Sequence, residues 1–104
     1  MKTPFFEQMT YGQIICKNIP DSRTVRRFIE KQIHRWILRH IKTDEPQNTQ
    51  YFVTLQRERE GHDVNCRVEI FDGKNIWLGM EYSAGLHQAL IRCLNHLIPA
   101  PAPL

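Results

Sequence analysis

The feature that most constrains the fold is a change of hydrophobic period along the chain, from 3.6 residues to 2 and back. Between Ser22 and Lys42 the apolar residues Val25, Phe28, Ile29, Ile33, Trp36 and Ile37 recur at spacings of 3, 1, 4, 3 and 1, which marks an amphipathic helix with one buried stripe. Three alternating runs follow: Tyr51, Val53 and Leu55; Val64, Cys66, Val68 and Ile70; and Ile76, Leu78 and Met80. Each reads as a strand with one apolar register. The composition Thr43 to Thr49, rich in Asp, Pro and Asn, separates helix from strands, and Asp72-Gly73 marks a tight hairpin. After Ser83, read as a helix cap, Leu86, Leu90, Cys93, Leu94 and Leu97 return to helical spacing until Pro99 stops them.

A β-branched run, Tyr11 to Lys17, precedes the turn Asn18-Ile19-Pro20-Asp21 and supplies a first strand. The expected order is therefore β-α-β-β-β-α. This is an α+β domain with a four-stranded sheet, two helices packed on one face and the opposite face open to water. Residues 1–98 are expected to form this single domain, with 99–104 a Pro/Ala-rich tail that trails off extended.

The first helix also concentrates charge. Arg23, Arg26, Arg27, Lys31, Arg35, Arg39 and Lys42 stand against one acid, Glu30. The whole chain nets +3 from 14 basic and 11 acidic residues, so the other 83 positions sum to 7 minus 10, or −3. At 100° per residue the apolar positions span an arc from about 140° to 320° relative to Arg23. On the same geometry Arg23, Arg27, Lys31, Arg35, Arg39 and Lys42 lie between 0° and about 160°. The basic side is thus expected to face away from the core.

A charged outer face is what any amphipathic helix shows to water, but a solvated helix ordinarily mixes signs. Here Arg23/Arg27, Arg27/Lys31, Lys31/Arg35 and Arg35/Arg39 are like-charge neighbours at i to i+4, together costing on the order of 1 kcal/mol. A polyanionic partner would offset that cost, and arginine suits bidentate contact with phosphate. Nucleic acid is weighed first, an acidic protein surface second, and a face with no specific partner third.

Other classes of chemistry have little support. Cys16, Cys66 and Cys93 are odd in number, far apart and set among apolar neighbours, as small buried hydrophobes in a reducing compartment would be. The five histidines show no spacing of the kind that builds a zinc site, and the five glycines form no phosphate-cradling motif. Catalytic residues, cofactor, metal and small-molecule substrate are therefore not expected. Acids and bases through Glu58 to Asp63 read as a solvated bend. No apolar run approaches the roughly 18 residues a membrane span needs, and the apolar stretch at Phe5-Phe6 is too short for a signal peptide and is broken by Glu7, so a cytoplasmic location is expected. Trp36 is expected in the core; for Phe52 and Trp77, edge packing under a loop is weighed ahead of a place on the open sheet face.

The stretch from Asn18 to Ile29 resembles the opening of the bacterial ribosome hibernation-promoting factors, also called ribosome-associated inhibitors or sigma-54 modulation proteins. In that family a first strand ends in an Asn-Val/Ile step before a Ser/Thr-capped helix with an aliphatic residue, Arg or Lys, and an aromatic-aliphatic pair. Ser22, Val25, Arg26, Phe28 and Ile29 match those places. Val68 and Ile70, Gly73, Ile76 and Ala89-Leu90 follow the family order, so the likeness spans nearly the whole chain.

The resemblance implies a fold akin to double-stranded RNA-binding domains. It also implies docking on ribosomal RNA of the small subunit, in the decoding channel, with translation blocked without catalysis. The phosphate-facing role would carry over by motif to Arg26, and by helix face to Arg23, Arg27, Lys31, Arg35 and Arg39. Two departures stand out. Gly85-Leu86-His87-Gln88-Ala89-Leu90-Ile91 replaces the family's Asp-x-Tyr-x-Ala-Ile-Asp pattern, and Asn95-His96-Leu97-Ile98 with a Pro-Ala tail replaces a basic helix end. Half of the usual basic surface is missing, and the extra domain with which long members pair ribosomes is not expected here. A protein-protein adaptor that kept the fold and a freestanding RNA-binding module are the alternatives, and self-association is left open.

Overall fold

A computed structural model describes residues 10–41, 49–59 and 61–101. The strand β1 (Thr10–Lys17) leads through a turn into the helix α1 (Arg23–His40). Then β2 (Thr49–Arg57), β3 (Val64–Phe71) and β4 (Asn75–Ser83) precede α2 (Leu86–Asn95) and a last strand, β5 (Ile98–Pro101). The sheet order is β1-β2-β3-β4-β5, with β1 parallel to β2 and every other pair antiparallel. Parallel neighbours need a crossover, and α1 supplies it.

Local signals account for the boundaries. Asn18 takes a left-handed conformation (φ 57°) at the end of β1, and its side-chain amide donates to the Glu58 carbonyl, joining the ends of β1 and β2. Ser22 caps α1, its hydroxyl accepting from the Val25 amide at 3.1 Å. At the β3-β4 hairpin, Gly73 adopts φ 98°, and Asp72 Oδ1 accepts from the amides of Lys74 (2.8 Å) and Asn75 (2.7 Å). The expected cap at Ser83 is not made. Gly85 occupies the N-cap of α2 without a side-chain bond, while Ser83 ends β4 and its hydroxyl donates to Gln88 Oε1 at 3.0 Å.

One hydrophobic cluster joins both helices to one sheet face. Ile29, Ile33, Trp36 and Ile37 from α1 and Ala89, Leu90, Cys93 and Leu94 from α2 close over Ile14, Tyr51, Val53, Leu55, Val64, Cys66, Val68 and Ile70. Val25 and Phe28, also in the sequence stripe, are half-buried at its margin, where the Phe28 ring meets His87 of α2 edge-on at 4.2 Å. Cys66 and Cys93 lie in the core as free thiols, Cys93 Sγ donating to the Cys66 carbonyl at 3.6 Å.

Two features of the sheet differ from expectation. The sheet has five strands, not four: Ile98 to Pro101, which includes the first part of the expected tail, pairs with β4 from Leu78↔Ile98 to Asn75↔Pro101. Helix α2 ends at Asn95 with His96 at its C-cap, before Leu97 and Pro99, and proline is compatible with an edge strand, so Pro99 lies within β5 instead of stopping the helix. The second difference is the facing of β4. Its apolar register, Ile76, Leu78, Met80 and Tyr82, lies on the open face, while Trp77, Gly79, Glu81 and Ser83 lie toward the helices.

The register explains this facing, because Val68 of the buried row pairs with Gly79 and Ile70 with Trp77. A Cβ at Gly79 would stand 2.6 Å from Leu97 Cδ2 and 3.1 Å from the Cys93 carbonyl oxygen. Helix α2 and the residues after it therefore sit too close to β4 for a larger side chain there. Trp77 accordingly lies on the helix side and not on the open face also weighed for it, packing edge-on against Trp36 at 5.1 Å and donating its Nε1–H to Asp72. Phe52 lies on the open face, the second of the two places weighed for it.

Candidate nucleic-acid interface

The buried stripe of α1 fixes the phase of everything else on that helix. With Ile29, Ile33, Trp36 and Ile37 against the sheet, Arg23, Arg27, Lys31, Arg35 and Arg39 are all exposed. Among the described residues, no carboxylate lies within salt-bridge distance of any of these five. Sixteen residues separate the first from the last, about 24 Å along the axis, and each step of four residues turns the row by about 40°. The ridge therefore winds across the helix. Its far end meets α2 in a narrow groove of about 90 Å³, lined by Gln32, Arg35, Trp36, Arg39, Ile91 and Asn95 among others.

The groups beside the ridge are held in place by burial and ring contacts. Burial pushes the His34 imidazole below its usual range against the opposing effect of Glu30, and its ring meets Tyr51 edge-on at 5.8 Å. That Tyr51 ring lies across β1 where Gly12 has no side chain, and burial raises its hydroxyl to about 12. At the other end His40 stacks on Trp36 (centroids 4.4 Å apart, 17° between planes) and donates Nδ1–H to the Trp36 carbonyl at 2.9 Å.

Arg26 is different from its neighbours. Its Nε donates to Asp21 Oδ1 at 2.7 Å and its Nη2 to Asp21 Oδ2 at 2.9 Å, and Nη2 also reaches the Ile14 carbonyl at 3.1 Å. The bidentate bond holds the Asp21 carboxyl below the usual carboxylate range and raises the guanidinium in turn. Arg26 thus ties the β1-α1 turn to the strand it leaves, and its charge is matched. A signal for this was present in the helical wheel: Arg26 falls at about 300° from Arg23, inside the arc of the apolar stripe. Lys42 lies outside the described residues.

Structure thus brings five of the seven basic residues into one surface and assigns a sixth to a corner. The second helix contributes Arg92, exposed near His87 and Ile91, and no acid. The remaining described cations are dispersed. Arg57 donates to the Ala84 carbonyl, Arg59 to His62, and Arg67 lies 3.7 Å from Glu69 on the open face. Among the described residues no group of three or more His, Cys, Asp or Glu side chains is arranged to hold a metal, and no helix is long and apolar enough to cross a membrane. What the hydrophobic periods did not show is the apolar character of the open sheet face, which presents Ile15, Phe52, Leu78, Met80, Tyr82 and Ile98.

A β-α-β start, an antiparallel continuation and two helices on one side of the sheet define an α+β domain, and its fold is shared with two solved structures. Among solved structures the chain is similar to the Protein Y N-terminal domain of Thermus thermophilus, with a TM-score of 0.65 and 17% identity over 83% of this chain and 86% of that one. It is also similar to a ribosomal subunit interface protein from Coxiella burnetii, with a TM-score of 0.63 and 10% identity over 82% of this chain and 86% of that one. No protein-family model matches the sequence, and no curated protein matches it either.

Proposed function

We propose that this protein is a cytoplasmic ribosome-associated factor that inhibits translation by occupying the small subunit, with the α1 ridge set against ribosomal RNA. The observation that carries the reading is the row Arg23, Arg27, Lys31, Arg35 and Arg39, exposed and without carboxylate partners among the described residues. Its support is the fold shared with a protein named for the ribosomal subunit interface. Occlusion of this kind needs placement rather than chemistry, so no catalytic group is invoked. In this reading Arg26 serves the ridge indirectly, by fixing how α1 leaves β1, and Arg92 extends the contact across the groove.

Co-sedimentation with isolated small subunits over a series of salt concentrations tests the proposal. Each phosphate neutralised contributes a slope of about 0.7 to 0.9, so five contacts predict a loss on the order of a hundred- to several hundred-fold between 50 and 200 mM salt. Absence of ribosomal association at any ionic strength would remove the reading. Treating the complex with nuclease distinguishes an adaptor acting on a protein, which keeps its partner, from an RNA-dependent association, which loses it.

A further inference from the structure

The open sheet face presents a surface unlike the helical one. Cross-strand partners share a face, so two outward rows can be followed across the sheet: Gln13, Phe52, Glu69, Leu78, Ile98, and Ile15, Thr54, Arg67, Met80. A third row runs Lys17, Gln56, Asn65, Tyr82. Along β4 and β5 the apolar side chains are well exposed: Leu78 42%, Met80 54%, Tyr82 55% and Ile98 69%. Six of the eight large hydrophobic residues exposed among the described residues lie on this one face, so it is a patch rather than scatter.

We infer that this face is a self-association surface, and that its occupant is a second copy of the chain packed sheet to sheet. The register makes it self-complementary. A twofold axis in the interface, crossing the strands at the level of Val68 and Gly79, lays β4 antiparallel over β4 of the second copy. Leu78 then lies over Met80 of the second copy, Ile76 over Tyr82, and Arg67 over Glu69, each twice by symmetry. The ion pair that Arg67 and Glu69 make weakly along one strand, at 3.7 Å, becomes two pairs between copies.

Charge and area favour this occupant over others. The three rows carry Lys17 and Arg67 against Glu69, so two copies approach without the repulsion that two basic helical faces would meet, and a polyanion finds little to hold. Four strands of eight or nine residues and the four-residue β5, about 4.8 Å apart, cover about 570 Å² on each copy, roughly 1,100 Å² in all, close to the lower limit of a specific interface. Pairing edge to edge through β5 is discouraged, because Pro99 and Pro101 have no N–H to offer a further strand. The back-to-back dimer would carry its two α1 ridges on opposite outer surfaces. This inference does not depend on the ribosomal reading.

Sedimentation velocity on the full chain, from about 1 to 200 µM, tests it over the range where an interface of this size associates. The expected result is a concentration-dependent dimer, with Met80→Glu monomeric throughout and its thermal transition close to that of the parent. Arg67→Glu and Glu69→Arg should each weaken dimerisation roughly tenfold or more, and mixing these two variants should restore it, because only the mixed pair sets opposite charges face to face. A chain monomeric over the whole range overturns the proposal, and so does a dimer that survives Met80→Glu. Failure of the mixed pair to recover likewise overturns it, and that arm decides the matter even if Met80→Glu proves unfolded.

Discussion

The outer face of α1 and the open face of the sheet are both exposed, and they are opposites. One is a row of like charges that repel their neighbours at every i to i+4 step. The other is a plane of Leu78, Met80, Tyr82 and Ile98 that gains nothing from facing water. Their difference shows how two unfavourable surfaces can coexist on one small domain: the sheet core separates them, so each can answer to a different chemistry. A polyanion would relieve the first and an apolar surface the second, and neither remedy would serve the other.

The strongest way to break the comparison is to reverse the ridge. Arg27→Glu with Arg35→Glu should lower co-sedimentation with small subunits by on the order of a hundredfold or more at moderate salt. Thermal stability should hold or rise, because each of the four i to i+4 pairs turns from a repulsion into an attraction of about 0.2 to 0.5 kcal/mol. A large stability loss would instead place these side chains in the packing. On the sheet, Gly79→Val should cost roughly 1 to 3 kcal/mol by chemical denaturation, since its side chain would enter Leu97 and the α2 backbone. A tolerated valine would mean that β4 does not owe its facing to the approach of α2. Ser22→Ala should cost about 1 kcal/mol in the same measurement by removing the α1 cap.

Finer resolution comes from adjacent arginines. Arg27→Gln should reduce the salt slope of ribosome binding by about 1 and leave stability alone, whereas Arg26→Gln should do the reverse, weakening the fold slightly with the slope unchanged. Equal effects on binding would return Arg26 to the ridge. The smallest expected effect is a pH dependence. Asp21 has a folded-state pKa below its unfolded value, so its pairing stabilises the fold above the unfolded value and is lost as pH falls through the folded one. Asp21→Asn should flatten that acidic limb of the unfolding curve, and an unchanged limb would assign it to other carboxylates.

The elements that sequence reasoning placed well share a property. The α1 stripe, its Ser22 cap, the Asp72-Gly73 hairpin and the inward registers of β2 and β3 are written in residues a few positions apart, and the phase of the basic row follows from the stripe by geometry alone. The misplacements share the opposite property. Ile76, Leu78 and Met80 alternate as regularly as Val64, Cys66 and Val68, and nothing local says that one set faces in and the other out. Arg26 reads as one more cation of the row until Asp21 and the Ile14 carbonyl are seen beside it.

By itself the sequence determined the order of the first six elements, which stripe of α1 is buried, and hence that Arg23, Arg27, Lys31, Arg35 and Arg39 share an outer side, because hydrophobic period is a property of neighbouring residues. Tertiary structure alone decided that a fifth strand closes against β4, that Gly79 rather than Met80 meets the helices, and that Arg26 is bound at a corner. Those outcomes depend on how closely α2 and the segment after it approach the sheet, and on partners set by the strand ladder and the β1-α1 turn. Such distances and pairings exist only once the chain has packed.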